Sequence, residues 1–253
     1  MKVIGRFQGA LGEIAIWESL TSGDRLYLEG EIFQSQSSPS GESRLPYVQM
    51  FRRFLQPANN VLLLGCGGGN LATMLARTGK RVVVVDCNPT SFDIAREYFG
   101  MPKQITCVTV DFRRFVAETD DTFDGIGIDV GGPKFCYREQ FDPATCSAIV
   151  GRIDPGGRAI LNMLVENDHD VAPDEIGSDL SVGKSSGWIL DRPGVPDRNV
   201  LIASLPAVRG PANKRHIDEL RLLDPIWELR RPRNRQSRRA PVAAAVGSDA
   251  GWL

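Results

Sequence analysis

A glycine-dense turn, Gly65-Cys66-Gly67-Gly68-Gly69, follows the apolar run Val61-Leu62-Leu63-Leu64 and leads into Asn70-Leu71. Glycines let a backbone approach a ligand closely and take positive φ, and a helix that starts there offers free N–H groups. The spacing is not the G-x-G-x-x-G of dinucleotide binders, because residue 70 is Asn. No Lys-Ser/Thr follows, so the turn is not a Walker-type phosphate cradle. Alone it would be a tight structural turn; carboxylates further along give it context. Asp86 lies about twenty residues on, where an acidic side chain can accept hydrogen bonds from both hydroxyls of a ribose. Asp111 and Asp129 close two further apolar runs. Any one of these could cap a helix, and for Asp111, followed by Phe112-Arg113-Arg114-Phe115, that reading is equally good. Three carboxylates at successive strand ends, beside a glycine loop, are harder to explain as caps.

Strands and helices must alternate to bring these groups together. Residues 61–64, 81–85, 105–110, 123–130 and 159–165 read as buried parallel strands. Residues 71–77, 91–99, 112–118 and 146–153 read as helices, with Pro155-Gly156-Gly157 turning the chain. Residues 188–190 and 200–205 add two more strands, antiparallel ones. The expected fold class is α/β, a doubly wound Rossmann-like sheet whose ligand crevice lies outside the carboxyl ends of its strands. Ahead of it, residues 13–17 and 25–30 read as a hairpin around Ser22-Gly23-Asp24, and residues 44–55 as a helix ended by Pro57. The divisions expected are an N-terminal β-arm over residues 1–41, a core over 42–225, and a basic, disordered tail over 226–253.

The 253 residues are 42% apolar and 24% charged, with a net charge of −1. No run approaches the roughly 18 apolar residues of a membrane span, and the N-terminus is too often interrupted by polar residues for a signal peptide. Five scattered cysteines without a C-x-x-C pair fit neither a disulfide framework nor a zinc site, so a reducing cytoplasm and no metal are expected. From Lys214 onward there are nine Lys/Arg against five Asp/Glu, which leaves 21 basic and 26 acidic residues for the rest. An acidic body argues against nucleic acid as a ligand. His169 and His216, the only histidines, read as surface residues, and Cys66 as a packing residue. Residues 166–170 read as a solvated loop at the crevice rim, and residues 134–137 as a loop closing over substrate.

Together Gly65-Cys66-Gly67-Gly68-Gly69, Asp86, Asp111 and Asp129 resemble the class I S-adenosylmethionine-dependent transferase core. More narrowly, the chain is similar to the spermidine synthase (aminopropyltransferase) family over roughly residues 10–165. Leu26-Tyr27-Leu28-Glu29-Gly30 with Gln34-Ser35 resembles the family's L-x-L-D-G…Q-S, and Tyr47-Val48-Gln49-Met50 its Y-H-E-M. Asp86-Cys87-Asn88-Pro89 resembles E-I-D-P, and Asp129-Val130-Gly131-Gly132-Pro133 resembles D-S-S-D-P. Leu63 fits too, since ordinary methyltransferases usually carry an acid there.

The resemblance implies a transferase whose co-substrate is S-adenosylmethionine or its decarboxylated form. Asp86 would hold the ribose and Asp111 the adenine amine. Gly65, Gly67 and Gly69 would pass beside the sulfonium's amino-acid arm, and Gln34, Cys87 and Phe112 would complete that site. Asp129 would be the base that deprotonates the attacking amine, with Tyr47 beside it. A homodimer through the N-terminal arm is also implied. Two departures weigh on the acceptor. Gly68 stands where the family carries an acid that disfavours intact S-adenosylmethionine, and Gly132 where it carries the second carboxylate of D-S-S-D-P. The family's His-Glu pair is Val48-Gln49. The expected reaction is aminopropyl-type transfer to a small-molecule amine. The alternatives are small-molecule methyl transfer, or nucleoside binding without catalysis.

Overall fold

The computed structural model describes residues 1–9, 12–132, 135–181, 185–207 and 211–233. The chain opens with a four-stranded antiparallel sheet: β1 (Lys2–Gln8), β2 (Glu13–Glu18), β3 (Arg25–Glu29) and β4 (Ile32–Ser37), paired in chain order. The edge strands β1 and β4 were not anticipated; β4, Ile-Phe-Gln-Ser-Gln-Ser, carries too many polar residues to show a strand pattern. Ile14, Ile16 and Tyr27 alternate onto one face of this sheet and pack against Ile94 and Phe99 of the core. The arm is therefore docked on the core rather than free. Helix α1 (Pro46–Phe54) follows, started by a proline at its first turn.

The core runs β5 (Asn60–Leu64), α2 (Asn70–Ala76), β6 (Arg81–Asp86), α3 (Pro89–Tyr98), β7 (Thr106–Thr109), α4 (Phe112–Glu118) and β8 (Phe123–Ile128). It continues with α5 (Tyr137–Gln140), α6 (Pro143–Gly151), β9 (Ile153–Val165), α7 (Ala172–Asp179), β10 (Ser185–Asp191), β11 (Arg198–Pro206), α8 (Pro211–Arg221) and β12 (Glu228–Arg230). The sheet order is β12-β10-β11-β9-β8-β5-β6-β7. Strands β5 to β9 pair in parallel, and β9-β11, β11-β10 and β10-β12 antiparallel. This is the α/β doubly wound sheet expected, with both expected antiparallel strands present. Val61 and Leu63 of β5 enter one hydrophobic cluster while Leu62 and Leu64 enter the other, so an unbroken apolar run serves both faces.

Three expectations need correcting. Pro155-Gly156-Gly157 does not end an element, because β9 runs through it; an irregularity in its pairing with β8 between Phe123 and Gly125 absorbs the extra residues. Helices α7 and α8 were not anticipated. The C-terminal segment is built into the fold beyond residue 226: β12 pairs with the edge of β10, and buried Asp174 accepts from the Arg230 guanidinium and the Arg233 amide. Residues 234–253 lie outside the described residues, as do Pro133 and Lys134. Among the described residues no helix is long and apolar enough to cross a membrane.

Candidate active site

Chain order reverses beside β5. Strands β6 and β7 extend the sheet one way, and β8 and β9 the other. The loops after β5 and β8 must therefore part at this point, which opens a crevice at the strand ends. The glycine loop occupies one side of it. Gly65 has φ +97°, and a Cβ there would stand 2.1 Å from the Asp129 carbonyl oxygen, so only glycine lets the two loops pass this closely. Gly69 (φ +66°) caps α2 in the left-handed region, and a Cβ there would meet Ala95 and Met101 at 2.8 Å.

Asp86, at the end of β6, seats this loop. Its Oδ2 accepts the Cys66 N–H at 2.8 Å and its Oδ1 the Asn88 N–H at 2.8 Å. Burial raises its pKa, against the two backbone hydrogen bonds that favour the charged form. A carboxylate oxygen has room for more than one donor, so both remain able to accept from a ligand. Asp86 lines a cavity of about 280 Å³ together with Cys87, Asp111, Phe112, Gln34 and Glu29. Asp111 also performs its other reading: its Oδ1 accepts the Arg113 and Arg114 N–H groups and caps α4. Burial pushes the Cys66 thiol well above its usual range, with Asp86 adding to the rise, which fits a packing residue and not a thiolate.

A second cavity of about 330 Å³ adjoins the first, and both are lined by Gln34, Gly65, Gly67, Asp129 and Gly132. Asp129 is their common carboxylate. Tyr47 O–H donates to its Oδ2 at 3.0 Å, and Asn162 Nδ2 donates to its Oδ1 at 3.0 Å. Asp129 faces the open crevice, yet protein surrounds it, and desolvation raises its pKa while the Asn162 and Tyr47 bonds hold it back. The Tyr47 hydroxyl is pushed well up, first by burial and then by the Asp129 charge, so it remains a donor. Tyr47 reaches Asp129 because α1 lies close on β8. A Cβ on Gly127 would meet Leu63, Leu55 and Phe51 at 2.8–3.4 Å, so glycine there permits the approach.

The expected site residues therefore converge. Asp129, Tyr47, Gln34, Gly65 and Gly67 border the inner cavity, and Asp86, Cys87, Asp111 and Phe112 the outer one, whereas Gly69 lines neither cavity and works as the turn into α2. Phe135 lines the outer cavity and Tyr137 the inner. His169 is exposed, as expected, but His216 is half-buried on α8. Two residues were not anticipated as parts of the site. Asn162 is one; its signal was a lone amide inside the apolar run of β9. Ser35 is the other: its Oγ accepts the Gly68 N–H at 2.9 Å. A Cβ on Gly68 would meet Asn70, Ser35 and Phe99 at 3.0–3.2 Å, so the place of the family's acid is already filled.

Comparison with known proteins agrees with this geometry. Residues 61–157 match the family model described as a methyltransferase domain. A probable spermidine synthase from Corynebacterium glutamicum ATCC 13032 superposes with a TM-score of 0.74 at 17% identity, covering 92% of each chain. The fold is thus that of class I methyltransferase-type transferases. In its fuller extent, N-terminal sheet included, it is the variety seen in spermidine synthases. A probable polyamine aminopropyl transferase of Bifidobacterium longum (strain NCC 2705) is 28% identical over 148 residues, 56% of this chain and 33% of that one. A ubiquinone biosynthesis O-methyltransferase of Actinobacillus pleuropneumoniae serotype 7 (strain AP76) is 29% identical over 113 residues, 44% and 42% of the two chains. The chain spans less than half the length of these curated relatives.

Proposed function

We propose that this protein transfers an alkyl group, of aminopropyl type, from a sulfonium nucleoside to the nitrogen of a small amine. The observation that carries this reading is Asp129, held between Tyr47 and Asn162 where the two cavities join. The outer cavity suits a nucleoside: Asp86 borders it for the ribose, and Asp111 and Phe112 stand at its far side. The carrier is S-adenosylmethionine or its decarboxylated form.

A sulfonium is a good leaving group, so the protein chiefly has to hold a neutral amine in line with the attacked carbon. An ammonium has no lone pair. The raised pKa of Asp129 makes its carboxylate a better proton acceptor than an ordinary aspartate. The Tyr47 hydroxyl and the Asn162 amide fix the carboxylate's orientation.

Methyl transfer from S-adenosylmethionine is the second reading. It is favoured by Gly68, which leaves no acid to repel the amino-acid carboxylate, and by the matching methyltransferase-domain model. Product identity separates the two. With each donor and a panel of amines, methylthioadenosine marks aminopropyl transfer and S-adenosylhomocysteine marks methyl transfer. Binding of both donors without turnover would leave a nucleoside-binding protein, and no binding of either would end both readings.

A further inference from the structure

The inner cavity has the wrong lining for a diamine. Asp129 is its one carboxylate among the described residues. Away from Asp129 the wall combines the apolar Ile32, Leu45, Val48 and Leu71 with the uncharged polar Ser43, Asn70 and Asn199, and the two large apolar side chains Phe33 and Leu164 also line it. Phe33 is 44% and Leu164 53% exposed, which places apolar surface in water beside the crevice. Further out, past Ile32, Tyr137 and Leu164, an open vestibule holds the exposed Glu31, Glu166 and Asp170 and the buried Glu29, which already has a partner within the protein. The three exposed carboxylates hold a cation weakly, because water screens them.

In the wall of the inner cavity one polar atom is unaccounted for. Asn162 is 8% exposed, and its Nδ2 is committed to Asp129, but its buried carbonyl Oδ1 has no hydrogen-bond partner. An orphaned buried acceptor is costly, and a ligand N–H that the Asn162 side chain turns to meet would relieve it. We infer that the acceptor is a primary amine on an apolar stem with no second cationic group, its nitrogen held between the Asp129 carboxylate and Asn162 Oδ1. This rests on the amine-transfer reading above and narrows it.

In the step, the entering ammonium gives one proton to Asp129. The freed lone pair forms the new N–C bond as the C–S bond breaks, its electron pair leaving on sulfur as a neutral thioether. The positive charge of the sulfonium ends on the secondary ammonium product. A primary amine keeps an N–H for Asn162 Oδ1 throughout; a tertiary amine has none.

The test gives the full chain each donor with equal amounts of hexylamine, phenethylamine, putrescine and spermidine, and follows products by mass spectrometry. The expected result is alkylated monoamine in excess over diamine product by about tenfold or more. Putrescine or spermidine consumed as fast as the monoamines would overturn the inference and leave amine transfer standing. No amine consumed, although methylthioadenosine binds, would overturn both. Asn162→Ala supplies the second arm. Methylthioadenosine affinity should hold, which shows the fold is intact, while the KM for hexylamine rises about tenfold. The acid limb of kcat/KM should also move to higher pH, because Asp129 loses a bond that favours its charged form. An unchanged KM and an unmoved acid limb would remove Asn162 from the site.

Discussion

Ser35, on β4 of the N-terminal sheet, accepts the amide N–H of Gly68 in the core's glycine loop at 2.9 Å. The bond is buried and ties the N-terminal sheet to the loop between β5 and α2 of the core, although the two sheets share no strand. Gln34, the next residue back, lines both cavities. The arm therefore forms one wall of the site, and its loss would open the crevice.

Ser35→Ala leaves the Gly68 N–H without a protein partner, at a cost on the order of 1–3 kcal/mol for a buried donor. The variant should melt at lower temperature and bind methylthioadenosine more weakly in isothermal titration. Unchanged values for both would mean that the loop does not depend on the arm.

Gly65→Ala and Gly79→Ala separate backbone strain from collision. Both glycines have positive φ, +97° and +83°, but only Gly65 has the Asp129 carbonyl within 2.1 Å of a new Cβ, whereas Gly79 has nothing within 4 Å. Gly79→Ala should cost about 1–2 kcal/mol. Gly65→Ala should cost more, or fail to fold, and should abolish donor binding. Equal melting temperatures for the two variants would contradict the close passage of the loops.

Asp129→Asn keeps the side chain's shape and removes its basicity. Turnover should fall by about 10²–10⁴-fold while donor affinity stays within a few-fold. Turnover equal to the parent's would refute the base role.

The pH dependence of stability has a defined sign. Burial raises the pKa of Asp129 and Asp86 above the ordinary aspartate range. A carboxyl that binds protons more tightly when folded contributes stability fully below its unfolded pKa, and loses it as pH rises through the folded value. The free protein should lose this contribution as pH climbs out of the ordinary aspartate range, and Asp129→Asn should flatten part of that slope. Melting temperatures measured across pH on both proteins check this; a steeper slope in the variant would be the wrong sign.

Truncation after residue 227 removes β12 and takes Arg230 and Arg233 from Asp174, which is 5% exposed. A buried carboxylate that loses a cationic partner costs about 3–5 kcal/mol. The truncated chain should therefore unfold at much lower temperature, and Asp174→Leu should restore part of the loss. A melting temperature equal to the parent's would show that β12 adds nothing.

The core was legible because its signals are local. A buried parallel strand needs an apolar run, and a turn at its end needs glycine, so β5 with its glycine loop and β6 and β8 with their carboxylates stand out in the chain. The arm was half legible: β2 and β3 alternate apolar and polar residues, while β4, Ile-Phe-Gln-Ser-Gln-Ser, offers its polar atoms to the glycine loop and so lacks the pattern. Residues 228–233 of the expected tail are ordered instead, although Arg230 and Arg233 look solvated in sequence. Their partner, Asp174, lies more than fifty residues away and is buried only by the fold.

By itself, then, the sequence determined the sheet, the glycine loop and the three strand-end carboxylates, because period and residue type act over a few neighbours. Only the tertiary structure decided what each carboxylate does. Asp86 seats the loop, Asp111 caps a helix, and Asp129 alone is held by two side chains from distant elements, Tyr47 on α1 and Asn162 on β9. Tertiary packing also set the character of the inner cavity. Burial and the pairing of side chains far apart in the chain determine which polar atoms are satisfied, and no local pattern carries that information.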